Sequence, residues 1–267
     1  MPPAIRGERL TDRYAVRGAS IDQVQPFSFD RGPIGCVLLH GFTAAPKEMR
    51  PPGEYLAARG FTVRGVRLAG HATCPEDLAR TTYHDWVASA EATIDELRGR
   101  CRQVWAIGLS LGGLISLHLA ARDRVDGVIA LAPPILTPDW RVPLARFIAP
   151  FKPYTVKGLA DLHDAAALAE HADYVRFPTR AVAQMYDLIR QVRRELPQVK
   201  VPLLLIHARH DRVVTLPGAD YIWQRVSSID RERVVLERGG HIITEEYDKN
   251  TAFQRIVAFL SKHPSNT

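Results

Sequence analysis

Residues 104–113 read Val-Trp-Ala-Ile-Gly-Leu-Ser-Leu-Gly-Gly, an apolar run that breaks into Gly-x-Ser-x-Gly and then feeds a helix-compatible segment. A serine at the apex of so tight a strand-to-helix turn presents its hydroxyl as a nucleophile, and the turn leaves little room for side chains two residues to either side. Gly108 and Gly112 hold those places around Ser110. Composition alone would supply the bare pattern in roughly one chain in ten of this length. Its placement between a strand and a helix is what carries the reading.

A serine hydroxyl is a weak nucleophile near neutral pH, so it needs a base in hydrogen-bond reach and a third group to orient that base. After such a turn the partners follow in the order serine, acid, histidine. Leu203-Leu204-Leu205-Ile206 leads to Asp211, and Val234-Val235-Leu236 leads through Gly239-Gly240 to His241. Each polar group emerges past a strand, where a parallel sheet presents its active edge.

Ten histidines compete for the role of base. His40, His71, His84 and His118 precede or closely follow the serine, His163 and His171 fall in an insertion, His207 and His210 come before any later acid-bearing strand, and His263 lies in the tail. His241 is left. Among the acids, Asp139 lies well past its strand and Asp220 falls inside a predicted helix, which favours Asp211. A helix N-cap role for Asp211 is set aside because six residues separate it from Pro217.

Acyl transfer also needs donors for the developing oxyanion, each worth about 2.7–4 kcal/mol. The backbone N–H of Leu111, next to the nucleophile, is one candidate. The second is the N–H of Phe42, in the His40-Gly41-Phe42 turn that follows Val37-Leu38-Leu39.

The elements that must position these groups follow from the alternation of short aliphatic runs with helix-length segments, the pattern of a mostly parallel sheet with helices on both faces. Strands are predicted at 34–39, 62–67, 104–109, 127–131, 202–208 and 233–236. Helices are predicted at 83–98, 111–121, 218–226 and 250–261. In the first of these Trp86, Ala90, Ile94 and Leu97 form one stripe.

Residues 133–201 break the rhythm. A structureless loop of that length is improbable in a compact domain, so they are read as a small helical cap, with helices over 159–171 and 180–195. The predicted organisation is an N-terminal extension at 1–30, a core at 31–132 and 202–267, and the cap at 133–201.

The 267 residues suffice for one core with an embedded cap. A hydrophobic fraction of 46% and a charged fraction of 24% fit an ordinary globular protein, and no stretch suits a membrane span. Residues 1–30 lack an apolar signal core, and Cys36, Cys74 and Cys101 lack metal-type spacing. A cytoplasmic protein with reduced cysteines is expected. The net charge of +6 comes from 29 Arg and 6 Lys spread over every segment without aromatic interleaving, which argues against nucleic acid.

The set His40-Gly41-Phe42-Thr43, Gly70-His71, Gly108-Leu109-Ser110-Leu111-Gly112-Gly113, Ala208-Arg209-His210-Asp211 and Gly240-His241-Ile242-Ile243-Thr244 resembles the bacterial carboxylesterase and monoacylglycerol lipase family of the α/β-hydrolase fold. The resemblance runs from about Gly35 to Lys262 and is strongest to the small thermostable carboxylesterases of bacilli. Residues 1–30 have no counterpart in that family's short N-terminus.

The resemblance implies Ser110 as nucleophile, His241 as base, Asp211 as its orienting acid, and Phe42 with Leu111 as oxyanion donors, in agreement with the residue-level reading. It implies hydrolysis of short to medium acyl esters or monoacylglycerols through an acyl-enzyme. No cofactor and no metal is expected. The expected partner is a small-molecule ester, without nucleic acid or stable membrane insertion, and a homodimer is allowed. The alternatives are hydrolysis of an amide, lactone or carbon-carbon bond on the same scaffold, or a ligand receptor that kept the triad.

Overall fold

The computed structural model describes residues 16–17, 20, 22–137 and 139–264, so most of what was expected of the first residues lies outside it. Eleven strands are described: β1 (Val16–Arg17), β2 (Phe27–Phe29), β3 (Ile34–Leu39), β4 (Thr62–Val66), β5 (Gln103–Leu109), β6 (Gly127–Leu131), β7 (Tyr154–Val156), β8 (Asp173–Tyr174), β9 (Arg176–Pro178), β10 (Leu203–Ala208) and β11 (Arg231–Leu236). The α-helices are α1 (Arg50–Ala57), α2 (Pro75–Arg80), α3 (Tyr83–Arg98), α4 (Leu111–Ala121), α5 (Ala145–Ile148), α6 (Ala165–Glu170), α7 (Thr179–Glu195), α8 (Pro217–Trp223) and α9 (Lys249–Ser261).

Seven strands form one sheet in the order β11-β10-β6-β5-β3-β4-β2. All neighbours run parallel except β2, which pairs antiparallel to β4 through Phe27 opposite Gly65. The strands β3, β6 and β10 are near-continuous aliphatic runs because both faces of a parallel sheet are covered by helices. One apolar layer gathers Trp86, Ile94 and Leu188. The other gathers Trp105, Ile206 and Phe259.

Besides shifts of one to three residues at other element ends, two boundaries move relative to expectation. Residues 27–29, read as part of an extension, are the edge strand of the sheet. Phe27 explains why: its ring fills the space above Gly65 and Gly53, where an added Cβ would lie 2.1 and 2.6 Å from it. The expected helix over 159–171 shortens to α6, whose N-terminus is capped by Asp164 accepting from the N–H groups of Ala166 and Ala167. Residues 159–163 are held instead in the loops described below.

Between β6 and β10 the chain forms α5, β7, α6, β8, β9 and α7. Helix α7 packs its Leu188, Ile189 and Val192 side against α4. Helix α4 is buried on every side, as an all-apolar helix between a sheet and another helix must be. A hydrogen bond of 2.6 Å between His118 of α4 and Glu195 of α7 closes that contact. Burial alone would raise the Glu195 pKa, but the bonds from His118 and Gln191 hold the carboxyl below its ordinary range.

Candidate active site

Strand β5 delivers Ser110 to the head of α4 with φ 53° and ψ −113°, a left-handed conformation that costs a residue with a Cβ on the order of 1–3 kcal/mol. The surroundings enforce it. A Cβ on Gly108 would stand 2.1 Å from the carbonyl of Gly112, and one on Gly112 would stand 2.0 Å from the carbonyl oxygen of Leu39. The Ser110 N–H is tied to the carbonyl of Leu131 at 2.8 Å, and the hydroxyl-bearing residue lines a cavity of about 430 Å³.

His241 lines the same cavity. Its Nδ1 lies 2.8 Å from Oδ2 of Asp211, although the two residues leave the sheet from different strands. The other oxygen of Asp211 accepts the N–H groups of Val213 and Val214 at 2.8 and 2.7 Å. Asp211 therefore caps its own turn and not α8, whose N-cap is Leu216, so the helix-cap role stays set aside. Burial would raise its pKa, but the hydrogen bond and charge of His241, with help from the Val214 N–H and His207, hold the carboxyl below its ordinary range. His207, 3.5 Å from Asp211, is pushed below its ordinary pKa by burial and donates to the carbonyl of Val214 at 2.6 Å.

Gly41 and Phe42 line the same cavity. His40 anchors that turn. Its Nδ1 donates to the Gly41 carbonyl at 2.9 Å and its Nε2 accepts the Leu68 N–H at 3.2 Å, which sets one neutral tautomer. Burial accordingly pushes its pKa down to about 4. The Phe42 ring stacks edge-on against Phe177 and His71. Leu111 is the first residue of α4, and a first-turn N–H has no partner within its own helix. Ser110, His241 and Phe42 thus line one cavity, Asp211 is bonded to His241, and Leu111 follows the serine at the head of α4.

Sequence reasoning missed a second, acidic layer. Buried Glu48 accepts the Gly41 N–H at 2.6 Å, and burial raises its pKa despite the nearby positive charges. His171 bonds Glu245 at 2.7 Å. Burial opposes its charge, yet the Glu245 bond and the carboxylates of Glu48 and Asp173 raise the imidazole above its ordinary pKa. Asp161 and Glu246 reach the loop that carries His241. None sits in a spacing pattern, and the Gly239-Gly240 pair was the one available sign of a close approach there.

A serine set in a strained turn, a carboxylate-bound histidine and a mostly parallel sheet define a serine hydrolase of the α/β-hydrolase fold. The family model described as serine aminopeptidase S33 matches residues 34–248. The chain is 33% identical over 265 residues to a thermostable monoacylglycerol lipase of Bacillus sp. (strain H-257), covering 95% of this chain and 99% of that one. It is 27% identical to a carboxylesterase of Bacillus subtilis (strain 168), over 89% of this chain and 96% of the relative. A solved structure described with two metagenome-derived lipolytic enzymes superposes with a TM-score of 0.86 at 28% identity, covering 90% of this chain and 98% of that one.

The chain belongs to this serine hydrolase family, and is an enzyme of the carboxylesterase and monoacylglycerol lipase type. An alignment covering 95% of the chain must reach into residues 1–30, so the expectation that this whole segment lacks a counterpart is corrected. Among the described residues no helix is long and apolar enough to cross a membrane.

Proposed function

We propose that the enzyme hydrolyses short to medium acyl esters or monoacylglycerols through a Ser110–His241–Asp211 triad and an acyl-enzyme. The observation that carries this reading is the 2.8 Å bond between His241 and buried Asp211 beside a cavity that Ser110 shares. With Nδ1 committed to Asp211, Nε2 is the nitrogen of His241 left to take the serine proton.

Ser110 Oγ then attacks the ester carbonyl, and the oxyanion is received by the N–H groups of Phe42 and Leu111. The protonated imidazole returns its proton to the departing alcohol. Water repeats the sequence on the acyl-enzyme and releases the acid. The acyl group is received by the apolar lining residues Val142, Ile148, Val182 and Met185, while Thr43, Glu48 and His171 of the same lining offer hydrogen bonds to a hydroxylated alcohol.

A series of p-nitrophenyl esters of increasing chain length, with 1-monoacylglycerols alongside, tests the reading. Turnover should be abolished in Ser110→Ala. Inactivity on every ester by protein whose Ser110 still reacts with an organophosphonate would move the assignment to amide, lactone or carbon-carbon hydrolysis. Saturable binding with negligible turnover would make the chain a receptor.

A further inference from the structure

The acid and the base of the proposed triad sit in loops after separate strands, thirty residues apart. The pairing of β10 with β11 fixes the strands, but Asp211 and His241 both lie beyond their ends. Something outside the sheet must set one loop against the other.

We propose that Asp161, contributed by the insertion between β6 and β10, is a positioning residue that locks the base loop to the acid loop. Its Oδ2 accepts the N–H of Arg212, the residue after the acid, at 2.8 Å, and the N–H of His241 at 3.1 Å. Its backbone carbonyl accepts the same His241 N–H at 2.9 Å. One carboxylate oxygen is therefore shared by the two backbones whose relative placement sets the His241–Asp211 bond. The Asp161 side chain is 8% exposed.

Gly240 shows how close the fit is. A Cβ there would stand 2.6 Å from the Asp161 carbonyl oxygen and 2.8 Å from its carboxyl carbon. Only glycine lets this carboxylate reach the base loop. A second staple, Glu246, accepts the N–H of Gly240 at 2.7 Å and of His163 at 2.6 Å, so that the loop and the segment carrying Asp161 are joined on both sides. Asp161 acts through these backbones and takes no part in proton transfer.

The proposal rests on the triad reading, and its test separates the two. Asp161→Ala, Asp161→Asn and Gly240→Ala are compared with the native enzyme for kcat and KM on a short p-nitrophenyl ester. Rates are expressed per active site titrated with an organophosphonate, so misfolded protein does not count. Because misplacing reacting groups by about 1 Å costs on the order of 100-fold, Asp161→Ala should lower kcat by about 10- to 100-fold with KM changed by less than about 3-fold. Asp161→Asn, which keeps an acceptor oxygen, should recover most of the loss.

Gly240→Ala leaves the carboxylate in the chain but displaces it, and should reproduce the Asp161→Ala loss even where that variant folds poorly. An unchanged kcat per site in Asp161→Ala or Gly240→Ala overturns the proposal, as does a loss confined to KM or an Asn variant no better than Ala. Ester turnover by Ser110→Ala would instead overturn the triad reading, whatever the Asp161 variants do.

Discussion

Residues 161–171 and residues 140–159 belong to the same insertion and wall the same cavity. The first stretch is bonded to the loop after β11 through Asp161, His163 and His171. The second presents Trp140, Phe147, Phe151, Val156 and Leu159 to solvent, Phe151 at 90% exposure. Its polar contacts to the rest of the protein include the Arg146–Asp187 pair and the Lys157 bonds to Thr43 and Asp173. The difference separates two tasks that adjoin in sequence. The bonded stretch keeps the chemistry in register, and the open stretch shapes the room for the substrate.

The strongest way to break this contrast lies on the bonded side. Asp211→Asn deprives the His241 ring of its anionic partner and should lower kcat by about 10⁴-fold on a p-nitrophenyl ester, the scale typical of an orienting carboxylate. A loss under tenfold would remove the acid from the proposed triad. Glu246→Ala leaves the N–H groups of Gly240 and His163 without their acceptor, at about 1–3 kcal/mol each, readable by urea unfolding. A stability equal to the native enzyme would mean that the two stretches are held alike.

On the open side, Ile148→Trp should fill part of the cavity and leave chemistry alone. The KM for a decanoate ester should rise about 10-fold while that for acetate stays within about 3-fold, measured across the ester series. Equal effects on both esters would show that this stretch does not select chain length.

The pair formed by His171 and Glu245 sharpens the contrast through pH. The folded-state pKa of His171 is raised, so its stabilisation is complete below the ordinary histidine value near 6.5 and is lost as pH rises through the raised folded value. The gap in melting temperature between native enzyme and His171→Gln should therefore be widest on the acid side and shrink toward alkaline pH. A gap that widens with pH would reverse the assignment. The smallest effect is expected of Phe151→Ser, within about 0.5 kcal/mol in urea unfolding because the ring is almost wholly exposed.

Much of the frame could be read from residue order because burial writes it plainly. Strands β3 and β6 and helix α3 have the limits expected from their runs and stripe. Helix α1 was hidden because it begins Arg-Pro-Pro-Gly; its prolines sit in the first turn, where no N–H is needed, and Gly53 is there to clear the Phe27 ring. Ser110, Asp211 and His241, the members of the proposed triad, could be picked out because a required order singles them out among many candidates. Glu48, Asp161 and Glu246 were not, since a carboxylate that accepts a distant backbone N–H needs no spacing to do so.

The Asp161 and Glu246 bonds have a consequence for anyone who would graft a new substrate pocket onto this enzyme. Exchanging residues 133–201 as a block would carry away the acceptor that the base loop is built against. A cut on either side of 140–159 would leave it in place. The unit that can be swapped is smaller than the unit that is inserted, and its edge runs through the middle of the cap.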